Sequence, residues 1–387
     1  MTNLNPLLFS QPMKDYSRAI IDNIDTYFLV VDRDGKIISH SDGAPEWLRE
    51  LDTSDTRFFP LKVSIELTDK CNLSCSYCYR NAGTGKGKYL KHPIEFLHNL
   101  SDRGIMWVEF TGGEPLLHPE IEPILNYAFE NFNVVGLLTN GTLLNGRIFS
   151  ILDENKDKAI LQISLPTLNE KRVKEITGYN KLKKVKENIK KAGKFDFITR
   201  VGTVLIDNES ITELKAITNF VHKCDINSYA PSYAVDIGRG EVLQHLSYQK
   251  VKKLYKIIWD LNEKFNNIVQ LLEHPSPEDL LISEEKENMN CGAGWKSFVF
   301  DPERYSRPCP LFPPEFGSNA FDCGELRKKM YYLEKPNPKT CSGCIHENYC
   351  RGCILKGWLM SQKMRYECQW AKKTNVNEIF NDWKKCK

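Results

Sequence analysis

Cys71, Cys75 and Cys78 stand on one short stretch between Leu67 and Arg80, with three and then two residues between them. Cysteine binds metal as a thiolate, and three thiolates are one short of the set that closes a tetrahedral zinc site. They suit a 4Fe–4S cube better, because three corners are held and the fourth iron stays free to bind something else. A structural zinc loop and buried thiols are the competing readings. Tyr77 sits directly before the third cysteine, and Gly112-Gly113-Glu114-Pro115 follows one strand-like run later. Glycines without side chains let backbone approach a ligand closely, and a carboxylate beside them can accept a hydrogen bond from an ammonium group.

More thiols gather toward the other end. Between Cys291 and Cys368 there are eight cysteines. Cys341, Cys344, Cys350 and Cys353 are separated by two, five and two residues, and Cys368 follows fifteen positions on. Cys-x2-Cys pairs are zinc-like, but zinc ribbons separate their pairs by more than five residues. Prolines, glycines and little helical period predict that this segment builds no large apolar core and needs metal to fold. Cys224 reads as a buried apolar thiol and Cys386 as a frayed terminal one.

Such groups need a scaffold that carries them to one place. Strand-like runs over 63–67, 106–111, 134–139, 159–165, 198–205 and 228–234 alternate with helix-like runs over 94–102, 120–131, 146–154, 181–191 and 210–222. That alternation predicts a parallel α/β layer or barrel. Cys71 then follows the first strand, at the strand end where barrel sites lie. Thr139-Asn140-Gly141 and Ser164 close the third and fourth strands. Residues 1–60 read as a small separate unit: two strand-like runs, 27–31 and 36–39, flank the turn Asp32-Arg33-Asp34-Gly35, and a short helix follows over 44–51. A helix over 247–265 leads into the Pro-broken linker His274-Pro275-Ser276-Pro277. The expected domains are 1–60, 61–270 and 271–387.

The bulk numbers fit this plan. A chain of 387 residues with 41% hydrophobic and 27% charged residues has room for two or three globular domains. A formal net charge of +3 predicts no nucleic acid and no membrane partner. The lysines of 181–194 read as the solvated face of a helix. No apolar run reaches the ~18–20 residues of a membrane span, and the first residues lack the pattern of a secretory signal. A cytoplasmic setting is therefore expected, where thiols are kept reduced. The thirteen cysteines, an odd number, then argue for metal rather than disulfides.

The cysteine loop with Tyr77 and the Gly-Gly-Glu-Pro run resembles the radical SAM enzymes. The C-terminal spacing resembles the SPASM extension, which carries two auxiliary 4Fe–4S clusters in members that modify peptides and related substrates. The resemblance covers residues 63–370 and implies a partial (β/α)6 barrel, a small N-terminal α+β unit and a cysteine-rich iron–sulfur domain. It also implies S-adenosylmethionine as cofactor, cleaved reductively to a 5′-deoxyadenosyl radical. Residue by residue, Cys71, Cys75 and Cys78 would hold the first of three 4Fe–4S clusters. Gly112, Gly113 and Glu114 would bind the methionine amino group, and backbone near Tyr77 would read the adenine. Asn140 and Ser164 would lie on the rim by the ribose and carboxylate, although Pro166 stands where an acidic residue often follows that serine. Thr177 replaces an arginine that many relatives use for the carboxylate, and Arg200 is the expected substitute.

In the extension, Cys341, Cys344, Cys350 and Cys368 match the ligands of an outer cluster, and Cys291, Cys309 and Cys353 those of an inner one. Two departures stand out. Only Arg351-Gly352 precede Cys353 where three residues are usual, and Arg304 replaces the glycine expected five places before Cys309. The inner set is one ligand short: either Cys323 completes it, or an open iron there could bind a substrate thiolate. His346 is a further possible iron ligand. The resemblance implies a maturase acting on a ribosomally made peptide, with the N-terminal unit docking a leader segment and an electron donor such as flavodoxin or ferredoxin. Two other readings stay open: radical chemistry on a small molecule such as a tetrapyrrole or cofactor precursor, and a non-catalytic iron–sulfur or zinc protein. Ile237-Gly238-Arg239-Gly240 looks like a Gly-Arg turn common to many such enzymes and separates none of these.

Overall fold

Residues 62–83, 87–103, 105–235, 237–242, 248–265, 268–269, 291–350 and 352–386 are described by the computed structural model, together with the backbone of four strands within 10–40. Those strands are β1 (Ser10–Pro12), β2 (Arg18–Asp22), β3 (Tyr27–Val31) and β4 (Ile37–His40), an antiparallel sheet in sequence order. The predicted hairpin is β3–β4; β1 and β2 were not foreseen. The helix expected over 44–51 and the linker at 274–277 lie outside the described residues.

Six parallel strands follow, each beside its sequence neighbour: β5 (Lys62–Thr68), β6 (Trp107–Gly112), β7 (Val134–Thr139), β8 (Ala159–Ser164), β9 (Ile198–Leu205) and β10 (Ser228–Tyr233). All fall within a residue or so of their expected bounds. Parallel neighbours need crossover connections, and helices supply them: α1 (Pro93–Asp102), α2 (Ile121–Asn131), α3 (Gly146–Glu154), α4 (Glu170–Thr177), α5 (Leu182–Ala192) and α6 (Asn208–Lys223). Helix α7 (Tyr248–Lys264) comes after β10. Strand alternation explains the two faces of the sheet. Val63, Ile65 and Leu67 are wholly buried, while Lys62 and Ser64 both reach Glu109 on the opposite, polar face. This is the partial barrel that the sequence predicts. In α5, Leu182, Val185, Ile189 and Ala192 are buried and Lys183, Lys184, Lys190 and Lys191 are exposed. The lysine run is a solvated face.

Helix α4 was not predicted. It begins where Asn169 Oδ1 accepts from the backbone N–H groups of Lys171 and Arg172, and it ends at Gly178 with φ of 81°. Nor was the sheet extension beyond β5, formed by the hairpin β11 (Ser297–Phe300) and β12 (Ser306–Arg307). Arg307 of β12 is buried and lies 2.6 Å from the buried Glu66 of β5, which also pairs with Arg80 at 2.8 Å.

The chain divides into two compact units, one of Lys62–Ile282 with Val299–Gly317, the other of Met1–Leu61, Ser283–Phe298 and Ser318–Lys387. The cysteine-rich tail holds α8 (Gly324–Tyr332), α9 (Ile354–Lys363), α10 (Gln369–Thr374) and α11 (Val376–Lys385). That corrects the expectation of a helix-poor segment without a core. Phe298, Phe321, Met330, Trp370, Phe380 and Trp383 are buried, and Phe298 stacks on Trp383 with ring centroids 5.7 Å apart. These aromatics are scattered over some ninety positions, so no local window shows them as one core.

Candidate functional site

At the C-terminal ends of the parallel strands lies a cavity of about 320 Å³. Cys71, Cys75, Tyr77, Cys78, Gly112, Gly113, Asn140 and Ser164 all line it. The cysteine loop is held from two sides by groups remote in sequence. From α4, the carbonyls of Thr177 and Ile176 accept the N–H groups of Ser74 (2.9 Å) and Ser76 (2.8 Å). From the turn after β10, Arg239 donates through Nε to the Cys75 carbonyl (2.7 Å) and through Nη2 to the Ala82 carbonyl (2.7 Å). Its backbone N–H reaches the Cys78 carbonyl at 3.0 Å. A Cβ on Gly238 would stand 2.6 Å from that same carbonyl oxygen. The Gly-Arg turn thus clamps the loop, a role its local sequence did not reveal.

The Gly-Gly-Glu run acts through backbone and through a buried carboxylate. A Cβ on Gly113 would stand 2.1 Å from the Lys70 carbonyl oxygen, and Gly112 has φ of 125°, so neither position admits a side chain without displacement. Glu114 is fully buried and turned away from the cavity. Its Oε1 accepts from Thr139 Oγ1 (2.6 Å) and Leu116 N (3.2 Å), and its Oε2 from Asn140 N (2.8 Å). None of these partners is a cation, and burial pushes the carboxyl pKa up to about 7. The side chain therefore positions the 139–140 turn from behind, whereas the sequence reading had it facing an ammonium. Asn140 carries that order forward: its Nδ2 donates to Asn72 Oδ1 at 2.8 Å and lies 3.9 Å from Cys71 Sγ.

Ser164 is at the cavity wall, and Thr177 lines it too. Arg200 does not line it. The strand register pairs Ser164 with Gly202 and Gln162 with Arg200, so Arg200 sits one pleat lower. There its Nη1 donates to Gln162 Oε1 at 3.2 Å, and Gln162 is the residue that meets the cavity. Its expected contact with a bound carboxylate is not prepared by this geometry.

The donor set fits an iron–sulfur group. Burial first, and charge on nearby groups second, push Cys71 up to about 11 and Cys75 to about 12, while the Tyr77 hydroxyl donates to the Cys75 sulfur and favours its thiolate. A cationic iron centre reverses such a penalty. Among the described residues no three His, Cys, Asp or Glu side chains converge closely enough to hold a single ion. A cubane holds its thiolates further apart.

In the tail, Cys341, Cys344, Cys350 and Cys368 line one small cavity with His346 and Trp370. Burial and then the sulfurs of Cys341, Cys368 and Cys344 push Cys350 up to about 12. Cys353 has Cys291 as its neighbouring thiol. The short spacing before Cys353 is taken up by Gly352, at φ of 78°, and Cys353 N–H donates to the Cys350 carbonyl at 3.1 Å. The second departure is absorbed differently. Arg304 itself adopts φ of 70°, the conformation a glycine would supply, and its guanidinium reaches Glu95 Oε1 (3.0 Å) and the Lys91 carbonyl (2.9 Å). Cys309 belongs to the barrel unit. Cys323 shares a hydrogen bond with Cys386, which is not frayed: its carbonyl accepts the Asn319 N–H at 2.7 Å. Among the described residues, no helix is long and apolar enough to cross a membrane.

Residues 65–221 match the model of the Radical SAM superfamily. The chain is 29% identical over 341 residues to the antilisterial bacteriocin subtilosin biosynthesis protein AlbA of Bacillus subtilis (strain 168), covering 83% of this chain and 73% of that one. A GTP 3′,8-cyclase of Clostridium perfringens (strain SM101 / Type A) is 30% identical over 201 residues, covering 50% of this chain and 61% of the cyclase, less than two thirds of its length. Among solved structures, Streptococcus suis SuiB bound to S-adenosylmethionine shares the fold with a TM-score of 0.61 and 18% identity, over 81% of this chain and 78% of SuiB. The structure of anSMEcpe with bound AdoMet and Cp18Cys peptide gives 0.58 and 16%, over 84% and 96%. The cysteine loop, the glycine pair and the open parallel barrel arranged as described lie within or beside the stretch that matches the Radical SAM superfamily model, and the chain shares its fold with SuiB and anSMEcpe.

Proposed function

We propose that this enzyme cleaves S-adenosylmethionine reductively and uses the product to modify a ribosomally made peptide, by thioether formation, cross-linking or residue oxidation. The observation that carries this reading is the meeting of three cysteines, two side-chain-free glycines and the rim of a parallel barrel on one cavity of about 320 Å³. That volume suits one small molecule, so the residue to be modified must approach from outside it. When bound, a 4Fe–4S cluster on Cys71, Cys75 and Cys78 would supply the electron that splits the sulfonium to give a 5′-deoxyadenosyl radical. The chain's own part is positional. Arg239 and the end of α4 fix the loop, Asn140 orients toward Cys71, and Gly112 and Gly113 keep the cavity wall flat enough for a ligand's amino group.

Two auxiliary clusters complete the proposal, an outer one on Cys341, Cys344, Cys350 and Cys368 and an inner one on Cys291, Cys309 and Cys353, its fourth position either filled by Cys323 or left open. Peptide as substrate is supported by the likeness to AlbA, a bacteriocin biosynthesis protein, which extends over 83% of the chain, whereas the GTP 3′,8-cyclase likeness covers 50%. The N-terminal sheet, whose order puts β1 and β4 at its ends, suits a leader segment added as a further strand. A flavodoxin or ferredoxin would be the reductant, in a cytoplasmic setting. The test is anaerobic incubation of iron-reconstituted enzyme with S-adenosylmethionine, reductant and candidate precursor peptides. Expected are 5′-deoxyadenosine and a peptide of altered mass, both lost without reductant. S-adenosylmethionine left whole would refute the radical chemistry, and turnover of a free small molecule by a chain lacking residues 1–60 would refute the peptide reading.

A further inference from the structure

Three of the thirteen cysteines lie outside the loop and the two tail sets: Cys224, Cys323 and Cys386. Cys224 is buried between α6 and the next strand. The other two are neighbours. We propose that Cys323 and Cys386 form a reversible dithiol–disulfide pair, a clasp that closes the cysteine-rich tail on itself.

Local structure brings them together from both sides. Cys323 is the residue before the first turn of α8, and Cys386 caps the end of α11. The two helices are pinned by an ion pair, Lys329 Nζ to Asp382 Oδ2 at 2.8 Å, and the strand of chain before α8 is tied by Asn319 N–H to the Cys386 carbonyl at 2.7 Å. Beneath them, Phe298 meets both Phe321, two residues before Cys323, and Trp383, three residues before Cys386, and Trp383 is wholly buried. The backbone leading into each cysteine is therefore set by packing, and the two side chains share a hydrogen bond. Both are partly exposed, so a soluble oxidant can reach them. A pair of sulfurs is two ligands short of a closed metal site.

The sequence between the two positions contains Cys341, Cys344, Cys350, Cys353 and Cys368. A cross-link here closes a loop of roughly sixty residues, a length at which a disulfide restricts the unfolded chain strongly. The oxidant is a small-molecule disulfide such as glutathione disulfide. One thiolate attacks it, forming a mixed disulfide and releasing one glutathione thiol; the second thiolate displaces the other. Two S–H bonds and one S–S bond are lost, one S–S bond and two glutathione S–H bonds form, and two electrons pass to glutathione. In a reducing compartment the pair opens again, as a regulatory rather than a permanent bond does.

The test uses the full-length, iron-loaded enzyme held without oxygen across a series of glutathione to glutathione disulfide ratios. Free thiols are trapped, the protein is digested without reduction, and linked peptides are identified by fragmentation mass spectrometry. Expected is a Cys323–Cys386 linked pair, two hydrogens lighter than its parts, that disappears on reduction with dithiothreitol. Cys323→Ser and Cys386→Ser should each abolish it and leave iron per chain at the wild-type level. Absence of the link at every ratio, or its replacement by a link from Cys386 to another cysteine, would overturn the proposal. So would loss of one cluster's iron in Cys323→Ser alone, since Cys323 would then be a ligand. Neither readout depends on turnover, so a failure here is distinct from a failure of the peptide reading.

Discussion

Glu114 shows how one side chain can be indispensable to a site that it does not face. Its carboxyl is held by three donors and no cation, and its pKa stands near 7 against an ordinary 4.5. Between those two values the folded chain keeps a proton that the unfolded chain has released. Stability therefore falls as pH rises from about 4.5 to 7 and is level above, by roughly 3 kcal/mol in all. For the iron-free chain, the thermal midpoint should decline across that window. Glu114→Gln, which cannot titrate, should flatten the slope while lowering the midpoint at pH 5, because an amide nitrogen cannot accept from Asn140. Equal slopes in both proteins, measured by thermal unfolding in a pH series, would show that Glu114 is not the titrating group.

At the scale of elements, the β11–β12 hairpin is where an unusual backbone and an unusual ion pair coincide. Arg304 holds a left-handed conformation that costs a non-glycine residue about 1 kcal/mol. Its contacts to α1 are partly exposed and offset only part of that. Arg304→Ala keeps the strain and loses the contacts, whereas Arg304→Gly loses both. The glycine variant should thus be the more stable of the two by about 1 kcal/mol, and the reverse order in urea unfolding would rule out strain at this turn. Arg307 is a different case. Removing it leaves the buried Glu66 with Arg80 alone, so Arg307→Ala should cost about 3–5 kcal/mol. Pairing it with Glu66→Gln should recover most of that loss; two independent, additive losses would mean that the pair is not coupled.

For the whole molecule, the two compact units carry different cysteine sets. The barrel unit carries the three-cysteine loop and the other unit the quartet around Cys350. Cys71→Ala should abolish 5′-deoxyadenosine formation altogether. Cys341→Ala should spare part of it and lose the modified peptide. Liquid chromatography of the nucleoside beside mass spectrometry of the peptide separates these, and equal loss of both in Cys341→Ala would contradict the division.

The spacing of Cys71, Cys75 and Cys78, the glycine pair and the alternation of strand with helix were legible without coordinates, because each depends on neighbours a few positions away. Strand bounds followed from short apolar runs between helical stretches, and the α5 lysines from period 3.6. What tertiary structure alone decided were meetings across long stretches of chain: Arg239 on the Cys75 carbonyl, α4 on Ser74 and Ser76, Glu114 turned inward to Thr139, Arg200 one pleat below the cavity, and Cys323 beside Cys386. Strand register sets the level at which a side chain enters the barrel, and turns far apart in sequence set which groups face each other. Neither quantity is carried by any local window of residues, so composition and periodicity stop short of it.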